Sequence, residues 1–346
     1  MKKHIKDSLK FVLFLSVGIF FIWFSLKDLS VEERFDILTY AKEAIHNGWI
    51  YLVLCMFIGF LSVVFRGLRS VLMIEPLGHK ISKTNSYHAA MIGYFANLAF
   101  PRLGEVLRCT ILQKYEKVPF QKSLGTVITE RIIDTLLFGV LFLVALVLES
   151  EKLVSIFVEN NVGGKIITMA SGAGKYIAVG GIVGLIVLLY VFRKKIAKWI
   201  IYKKVIKILS GFWEGLVSIK DLKHPFLFIV YSLLIWLCYY LMFYICTFAF
   251  PFLTTLGIKS VLLASLSCVV IGTLGFVVAQ GGLGVYPMLV YIALHLYGIS
   301  ETGSKSIGWV VWSTETLMYI VLGLASLLII SFKKDKTKTE PHGLYN

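Results

Sequence analysis

Residues Phe95–Leu112 read FANLAFPRLGEVLRCTIL, an apolar stretch interrupted in its middle by a proline and by charged side chains. The interruption consists of Pro101, Arg102, Glu105 and Arg108. The whole apolar segment, residues 89–112, leaves only about 12 residues on either side of Pro101. That is too few for a helix that rises 1.5 Å per residue to cross a bilayer. The stretch therefore predicts a broken, re-entrant helical hairpin over residues 89–112 and not a crossing helix.

The chain around this hairpin is strongly apolar: 58% of its 346 residues are hydrophobic and 16% are charged. Soluble domains carry about 25% charged residues, and apolar runs of about 18 or more residues are typical of membrane helices. We therefore predict an all-α polytopic membrane protein, with about eight transmembrane helices and the hairpin in one domain, residues 1–332, followed by a cytoplasmic tail, 333–346. The predicted spans are Phe11–Leu26, Trp49–Phe65, Ile128–Leu148, Tyr176–Phe192, Pro225–Phe250, Ser260–Val278, Gly282–Tyr297 and Ile307–Phe332.

The formal net charge of +15 lies mainly in short loops, which indicates membrane orientation and not a nucleic-acid partner. Residues 27–48 have a net charge of −2 and residues 193–224 a net charge of +7. These charges alternate across the membrane if both termini are cytoplasmic and the hairpin enters and leaves from the cytoplasmic side. We expect the plasma membrane of a bacterium or archaeon, with the basic amphipathic loop 193–224 lying on anionic inner-leaflet lipids.

The charged residues of the hairpin predict a site for an anion. Arg102, Glu105 and Arg108 are spaced i, i+3, i+6, so that Glu105 can pair with either arginine on one helical stripe. A helix N-terminus at membrane depth attracts anions, and a phospholipid phosphate is the natural ligand. Three further residues complete this prediction: Pro101 to begin the helix, Gly104 to let another backbone approach closely, and Asn97 as an additional ligand.

A second charged group, TERIID, opens a predicted span. Glu130 and Asp134 lie one turn apart, and Arg131 is three residues before Asp134. Buried charges in lipid need partners. We expect the two carboxylates to neutralise Arg102 and Arg108 in one network, although headgroup-level charges that only fix topology and packing are the alternative.

Other polar residues of the apolar segments have two interpretations each. Arg66 and Arg69 either extend to headgroups or join the network. Glu315, in the middle of a predicted span, either makes a structural hydrogen bond or serves transport. Glycines in the segment AQGGLGVYP either line a cavity in the second half or permit close helix packing: Gly281, Gly282 and Gly284. This segment and AFPRLGE both interrupt apolar runs, and paired broken segments are typical of transporter binding sites.

The sequence supplies no pattern for a cofactor, a metal or a disulfide. The five cysteines lie in or beside apolar segments without CxxC spacing, and the seven histidines show no ligand spacing. We expect the cysteines to be small membrane-core residues. We assign no catalytic residue, no metal and no cofactor, and the oligomeric state stays open.

Three of these segments resemble a known family. NLAFPRLGEVLR (97–108) is similar to its N-x-x-x-P-x-R-x-G-E-x-x-R signature, TERIIDTLL (129–137) to its T-x-x-x-E-R-x-x-D element, and QGGLGVYP (280–287) to its P-G-G-x-G element. The chain thus resembles the membrane domain of lysylphosphatidylglycerol synthases and its stand-alone, flippase-like relatives. Gln280 stands where that family often has proline, and Pro287 stands near a position that is often acidic.

The resemblance implies a flippase-like membrane protein that moves a phospholipid or other lipid phosphate between leaflets. It implies no aminoacyl-transfer chemistry, because the family's soluble domain does not follow residue 332 here, and we do not expect an enzyme. Two alternatives stay open. One is a membrane-embedded transferase that uses Glu130 or Asp134 as a base or for Mg²⁺. The other is a non-catalytic scaffold whose charges set topology.

Overall fold

The computed structural model describes residues 30–100, 102–149 and 222–332, and every regular element among them is helical. The first unit of the fold contains residues 30–131 and 222–332, and the second contains residues 132–149 of those described. The helices are α1 (Val31–Asn47), α2 (Trp49–Ile74), α3 (Lys83–Ala99), α4 (Leu103–Glu116), α5 (Phe120–Leu148), α6 (Pro225–Thr247), α7 (Ile258–Val278), α8 (Val285–His295) and α9 (Glu301–Ser331).

Helix α1 begins with a capping box. The hydroxyl of Ser30 accepts from the backbone N–H of Glu33 at 3.1 Å, and the backbone N–H of Ser30 donates to the Glu33 carboxylate at 2.8 Å. These bonds satisfy two otherwise unpaired groups at the helix start. They favour the ionised carboxylate and so hold the pKa of Glu33 below its usual value.

Five helices in the described residues are long and apolar enough to cross a membrane: Trp49–Leu77, Phe120–Leu148, Pro225–Thr247, Ile258–Val278 and Glu301–Ser331. They correspond to five of the eight predicted spans. Large apolar side chains on them are exposed, as expected of helices that face lipid. Two other predicted spans, 11–26 and 176–192, lie outside the described residues, as do the tail and most of the basic loop.

The predicted span Gly282–Tyr297 is wrong as a crossing helix. Helix α8 has 11 residues, which is about 16 Å at 1.5 Å per residue. It starts late because Gly281, Gly282 and Gly284 have φ values of 59°, 71° and 71°, and an α-helix cannot continue through the left-handed region. Helices α7 and α8 therefore form a broken hairpin.

The predicted first hairpin consists of α3 and α4, which pack against each other on either side of the break at residues 100–102. Its two arms, 17 and 14 residues, are longer than the sequence pattern predicted. Gly104 contacts Gly93 so closely that a Cβ on Gly104 would overlap the Gly93 carbonyl oxygen. This confirms the close backbone approach expected of Gly104. Entry and exit of the hairpin on the cytoplasmic side stay a prediction.

Helix α9 packs along α1, α3 and α8, while α2 packs along α6 and α3. In the described part of the chain, the largest buried cluster joins α2, α6, α7, α8 and α9 and includes Ala44 of α1. All five cysteines are buried and free, which confirms their predicted role as core residues. The first hairpin is thus held between α2 and α9, beside the start of α5.

Candidate functional site

The centre of the site is a buried ion pair between α4 and α5. The guanidinium of Arg108 donates to both carboxylate oxygens of Glu130, each at 2.8 Å. A second guanidinium, that of Arg69 on α2, lies 3.7 Å from the same carboxylate. The side chains of Arg69 and Glu130 are 0% and 1% exposed. The two-pronged geometry suits a planar guanidinium and gives the pair its specificity.

Arg69 also donates to the hydroxyl of Ser232 on α6 at 3.1 Å and lies 5.6 Å from the Phe228 ring. Arg66, one turn earlier on α2, donates to the Tyr239 hydroxyl at 3.0 Å and lies 5.5 Å from the Tyr94 ring. Both arginines are buried. Of the two interpretations given above, they join the network and do not extend to headgroups.

Glu105 does not pair with Arg102 or Arg108, which corrects the sequence prediction. Its carboxylate accepts from Arg131 on α5 at 3.1 Å. Arg108 instead directs both of its terminal nitrogens to Glu130. The Arg131 side chain is 47% exposed, so this pair lies at the edge of the network.

The start of α4 also differs from the prediction. The helix begins at Leu103, with Arg102 at the N-cap in the left-handed region (φ 62°). Pro101 itself lies outside the described residues. Within those residues the exposed Arg102 side chain makes no hydrogen bond or ion pair. It is therefore not part of the network that Arg108 forms.

Asn97, on the preceding helix, caps α4. Its side-chain oxygen accepts from the backbone N–H of Gly104 at 2.7 Å. This bond satisfies one of the free N–H groups of the helix N-terminus. The sequence predicts Asn97 as a ligand of the phosphate. In the structure its side chain lines the cleft and bonds to the start of α4.

A small cleft opens between these residues. It has about 20 Å³ of space for the centres of water-sized molecules, enough for one or two waters. Four arginines and two glutamates line or support it, so the charged cluster carries a net charge of +2. The lining residues are Arg66, Ala90, Gly93, Tyr94, Asn97, Gly104, Glu105, Arg108, Val127 and Arg131.

Asp134 lies one helical turn beyond Glu130 and is buried. It belongs to the second unit, and its predicted part in neutralising the arginines stays a prediction.

The two broken hairpins meet at their breaks. The side-chain amide of Gln280 donates to the backbone carbonyl of Asn97, a group that the end of α3 leaves unpaired. Gly281 lies beside Leu98, and its carbonyl accepts from the indole N–H of Trp312 at 2.8 Å. The segments AFPRLGE and AQGGLGVYP, which both interrupt apolar runs in the sequence, thus lie in contact in the structure.

Glu315, on α9, accepts from the hydroxyl of Tyr319 at 3.1 Å. Tyr319 stacks on Tyr94, with ring centroids 5.0 Å apart, and the hydroxyls of Tyr94 and Tyr239 are 3.3 Å apart. These three tyrosines were not among the predicted site residues. Only their position within apolar runs, where a hydroxyl needs a partner, could have indicated them.

Helical spans, two broken hairpins and a buried cluster of arginines define a polytopic membrane protein with a polar cleft between its helices. The chain belongs to the family described as the lysylphosphatidylglycerol synthase TM region, whose model matches residues 9–323. This confirms the family resemblance and the assignment as an integral membrane protein.

One similar protein is UPF0104 membrane protein MJ1595 of Methanocaldococcus jannaschii. It is 29% identical over 100 residues, which cover 28% of this chain and 30% of that protein. The chain thus matches less than a third of the length of this relative. No solved structure matches the chain.

Proposed function

We propose that the protein binds the phosphate of a membrane lipid in the cleft between α2, α3, α4 and α5 and moves that lipid between leaflets. The observation that carries the proposal is the excess positive charge of the cluster. Three arginines and one glutamate line the cleft: Arg66, Arg108, Arg131 and Glu105. Guanidinium groups bind phosphate oxygens well, so a lipid phosphate is the ligand that this lining suits.

The guanidinium groups are suited to this ligand. Arginine presents a planar set of donors that matches phosphate oxygens and stays charged at any physiological pH. Arg66 and Arg131 face the cleft. Arg69 and Arg108 hold Glu130 from either side. In the proposal Arg66 and Arg131 contact the phosphate, and the other two arginines add to the positive potential. Arg102 could approach a headgroup only from outside the cleft.

The size of the cleft implies that it opens. A space for one or two waters does not admit a phosphate group, whereas the Glu105–Arg131 pair at its edge is exposed and therefore the weaker of the two ion pairs. We propose that the phosphate replaces Glu105 as the partner of Arg131. The buried Arg108–Glu130 pair stays closed and fixes the two helices.

The second hairpin supports translocation and not binding alone. Backbone breaks at membrane depth are tolerated where they line a polar cavity, and paired broken segments mark transport sites in other membrane proteins. Here Gln280 joins the two breaks through the carbonyl of Asn97. The family description also concerns a lipid synthase membrane region. We further propose a plasma-membrane location with both termini cytoplasmic, from the loop charges.

Equilibrium binding of dihexanoyl-phosphatidylglycerol to the purified full chain tests the site. Arg66→Gln and Arg131→Gln should each weaken binding at least tenfold, because each removes one positive charge from the cleft. Lys114→Gln is the matched control, since Lys114 is exposed on α4 outside the cleft. It should leave binding within twofold of wild type. Equal binding by wild type and both arginine variants would refute the site.

A further inference from the structure

Glu315 occupies the middle of the longest helix in the described residues, 14 residues after the first residue of α9 and 16 before the last. At 1.5 Å per residue the carboxyl lies about 20 Å from either end. Leu317, on the exposed apolar stripe of α9, points away from it, because residues two apart on a helix differ by about 200°. The carboxyl therefore faces the protein interior at membrane depth.

Within the described residues Glu315 makes no ion pair, and its bond to Tyr319 is a hydrogen bond to a neutral hydroxyl. A carboxylate at this depth without a cation is costly, and protonation removes the cost. The titratable groups near it are a thiol and phenols. They are Cys55 on α2 and Tyr286 on α8, with Tyr94 on α3 and Tyr239 on α6 reached through Tyr319.

A continuous series of side chains leads from this carboxyl to the cleft. Glu315 accepts from Tyr319, and the Tyr319 ring stacks parallel to that of Tyr94 at 5.0 Å. The Tyr94 hydroxyl is 3.3 Å from that of Tyr239, which accepts from Arg66 at 3.0 Å. Arg66 and Tyr94 also line the cleft. The guanidinium of Arg66 thus bonds to Tyr239 and is also the proposed partner of the phosphate.

We propose that Glu315 is the proton-binding residue of the transport cycle, and that lipid phosphate and proton bind together. This inference rests on the function proposed above. A phosphodiester that enters the cleft adds one negative charge. It also accepts the hydrogen bond that Arg66 otherwise donates to the Tyr239 hydroxyl. The added charge favours the neutral form of Glu315, which takes up one proton. One anion and one proton then leave the charge of the protein unchanged.

The coupling is reciprocal, so protonation of Glu315 must strengthen anion binding by the same factor. Anion affinity therefore rises as pH falls through the titration range of the carboxyl, and it falls as pH rises. A proton gradient across the membrane could then drive lipid movement. The proton is then the coupling ion of the transport cycle.

The test is the pH dependence of dihexanoyl-phosphatidylglycerol binding to the purified full chain between pH 5 and 8. A phosphodiester is chosen because its own charge does not change in this range. Wild type should bind at least tenfold more tightly at pH 5 than at pH 8. It should also take up close to one proton per bound lipid, as reported by a pH-indicator dye in weak buffer.

Glu315→Gln mimics the protonated acid. It should bind at pH 8 as tightly as wild type does at pH 5, without pH dependence and without proton uptake. Tyr319→Phe keeps the ring stack and loses the hydroxyl, and it should at least halve the pH dependence. His88→Gln is the control for another titratable group on the first hairpin, which contacts Ser326, and it should keep the wild-type pH dependence.

Different results would overturn the inference and the proposed function. If binding requires Arg66 but does not depend on pH, or if Glu315→Gln keeps the pH dependence, the proton site is wrong and the phosphate site stands. If His88→Gln abolishes the pH dependence, the proton site is also wrong. If wild type binds no lipid, or Arg66→Gln binds like wild type at every pH, the proposed function fails first.

Discussion

Arg108 and Glu130 are joined by two hydrogen bonds of 2.8 Å each, and both side chains are buried. This pair links the second arm of the first hairpin to α5, and Arg69 approaches the same carboxylate from α2 at 3.7 Å. Three helices thus depend on one glutamate for the position of their charges. The pair fixes the cleft, whereas the exposed Glu105–Arg131 pair closes its edge.

The first prediction concerns the stability of this pair. Arg108→Gln leaves Glu130 without its two-pronged partner and should destabilise the fold by about 3 kcal/mol, the usual cost of breaking a buried ion pair. Lys114→Gln, on the same helix, should change stability by less than about 0.5 kcal/mol. Unfolding of the detergent-purified protein measures both. Arg108→Gln with Glu130→Gln should recover at least half of the loss, and a strictly additive double variant would contradict the coupling.

The second prediction concerns the edge of the cleft. Glu105→Gln removes the carboxylate that competes with a phosphate for Arg131, and it raises the net charge of the cluster from +2 to +3. Dihexanoyl-phosphatidylglycerol should bind about tenfold more tightly, equal to about 1.4 kcal/mol. Glu116→Gln is unsuitable as a control because Glu116 is buried and bonded to Asn85. Gln113→Glu, an exposed change on α4, should leave affinity within twofold. Weaker binding by Glu105→Gln would show that Glu105 holds Arg131 in its binding position.

The third prediction separates two roles of Asn97. Asn97→Asp keeps an oxygen to accept from Gly104 and should melt within a few degrees of wild type, but it should weaken anion binding by adding a negative charge to the cleft. Asn97→Leu loses the cap and should destabilise by about 1 kcal/mol. Melting and lipid binding are measured on the same preparations. Equal anion affinity in Asn97→Asp and wild type would exclude Asn97 from the binding cleft.

The fourth prediction concerns the crossing of α3 and α4. Gly104→Ala would place a methyl group against the Gly93 carbonyl and should destabilise the fold by at least about 2 kcal/mol, as overpacking does. Gly125→Ala is the matched control, since open space surrounds its Cβ position on α5. It should be neutral or stabilise by up to about 1 kcal/mol. Similar melting temperatures for the two variants would contradict the close crossing.

Much of the fold could be predicted from composition and span length. The five long helices follow from apolar runs, and the first break follows from charges that no lipid-facing helix tolerates. The close approach at Gly104 was predictable because a glycine in an apolar helical segment lets a neighbouring backbone come close. The partnership of Arg108 and Glu130 was one of several that the sequence allowed.

The remaining contacts depend on helix packing that no local pattern records. Glu105 pairs with Arg131 because of the way α4 packs against the start of α5, a contact between residues 26 positions apart. The contact between Gln280 and Asn97 joins residues 183 positions apart. The second break was predicted, but the segment after it was mistaken for a crossing span because QGGLGVYP contains no charge. The positive φ values of its glycines delay the start of α8 and so shorten it.

The central claim is that the cleft selects a lipid by its phosphate, and transbilayer movement in proteoliposomes tests it most directly. The measurement compares two lipids with the same fluorescent acyl chain, a phosphatidylglycerol and an uncharged monoglucosyl-diacylglycerol. We predict that the wild-type chain moves the phosphate lipid at least tenfold faster than the neutral one, and that Arg66→Gln removes this difference. Equal rates for the two lipids with wild type, or no movement above that of protein-free liposomes, would contradict the account.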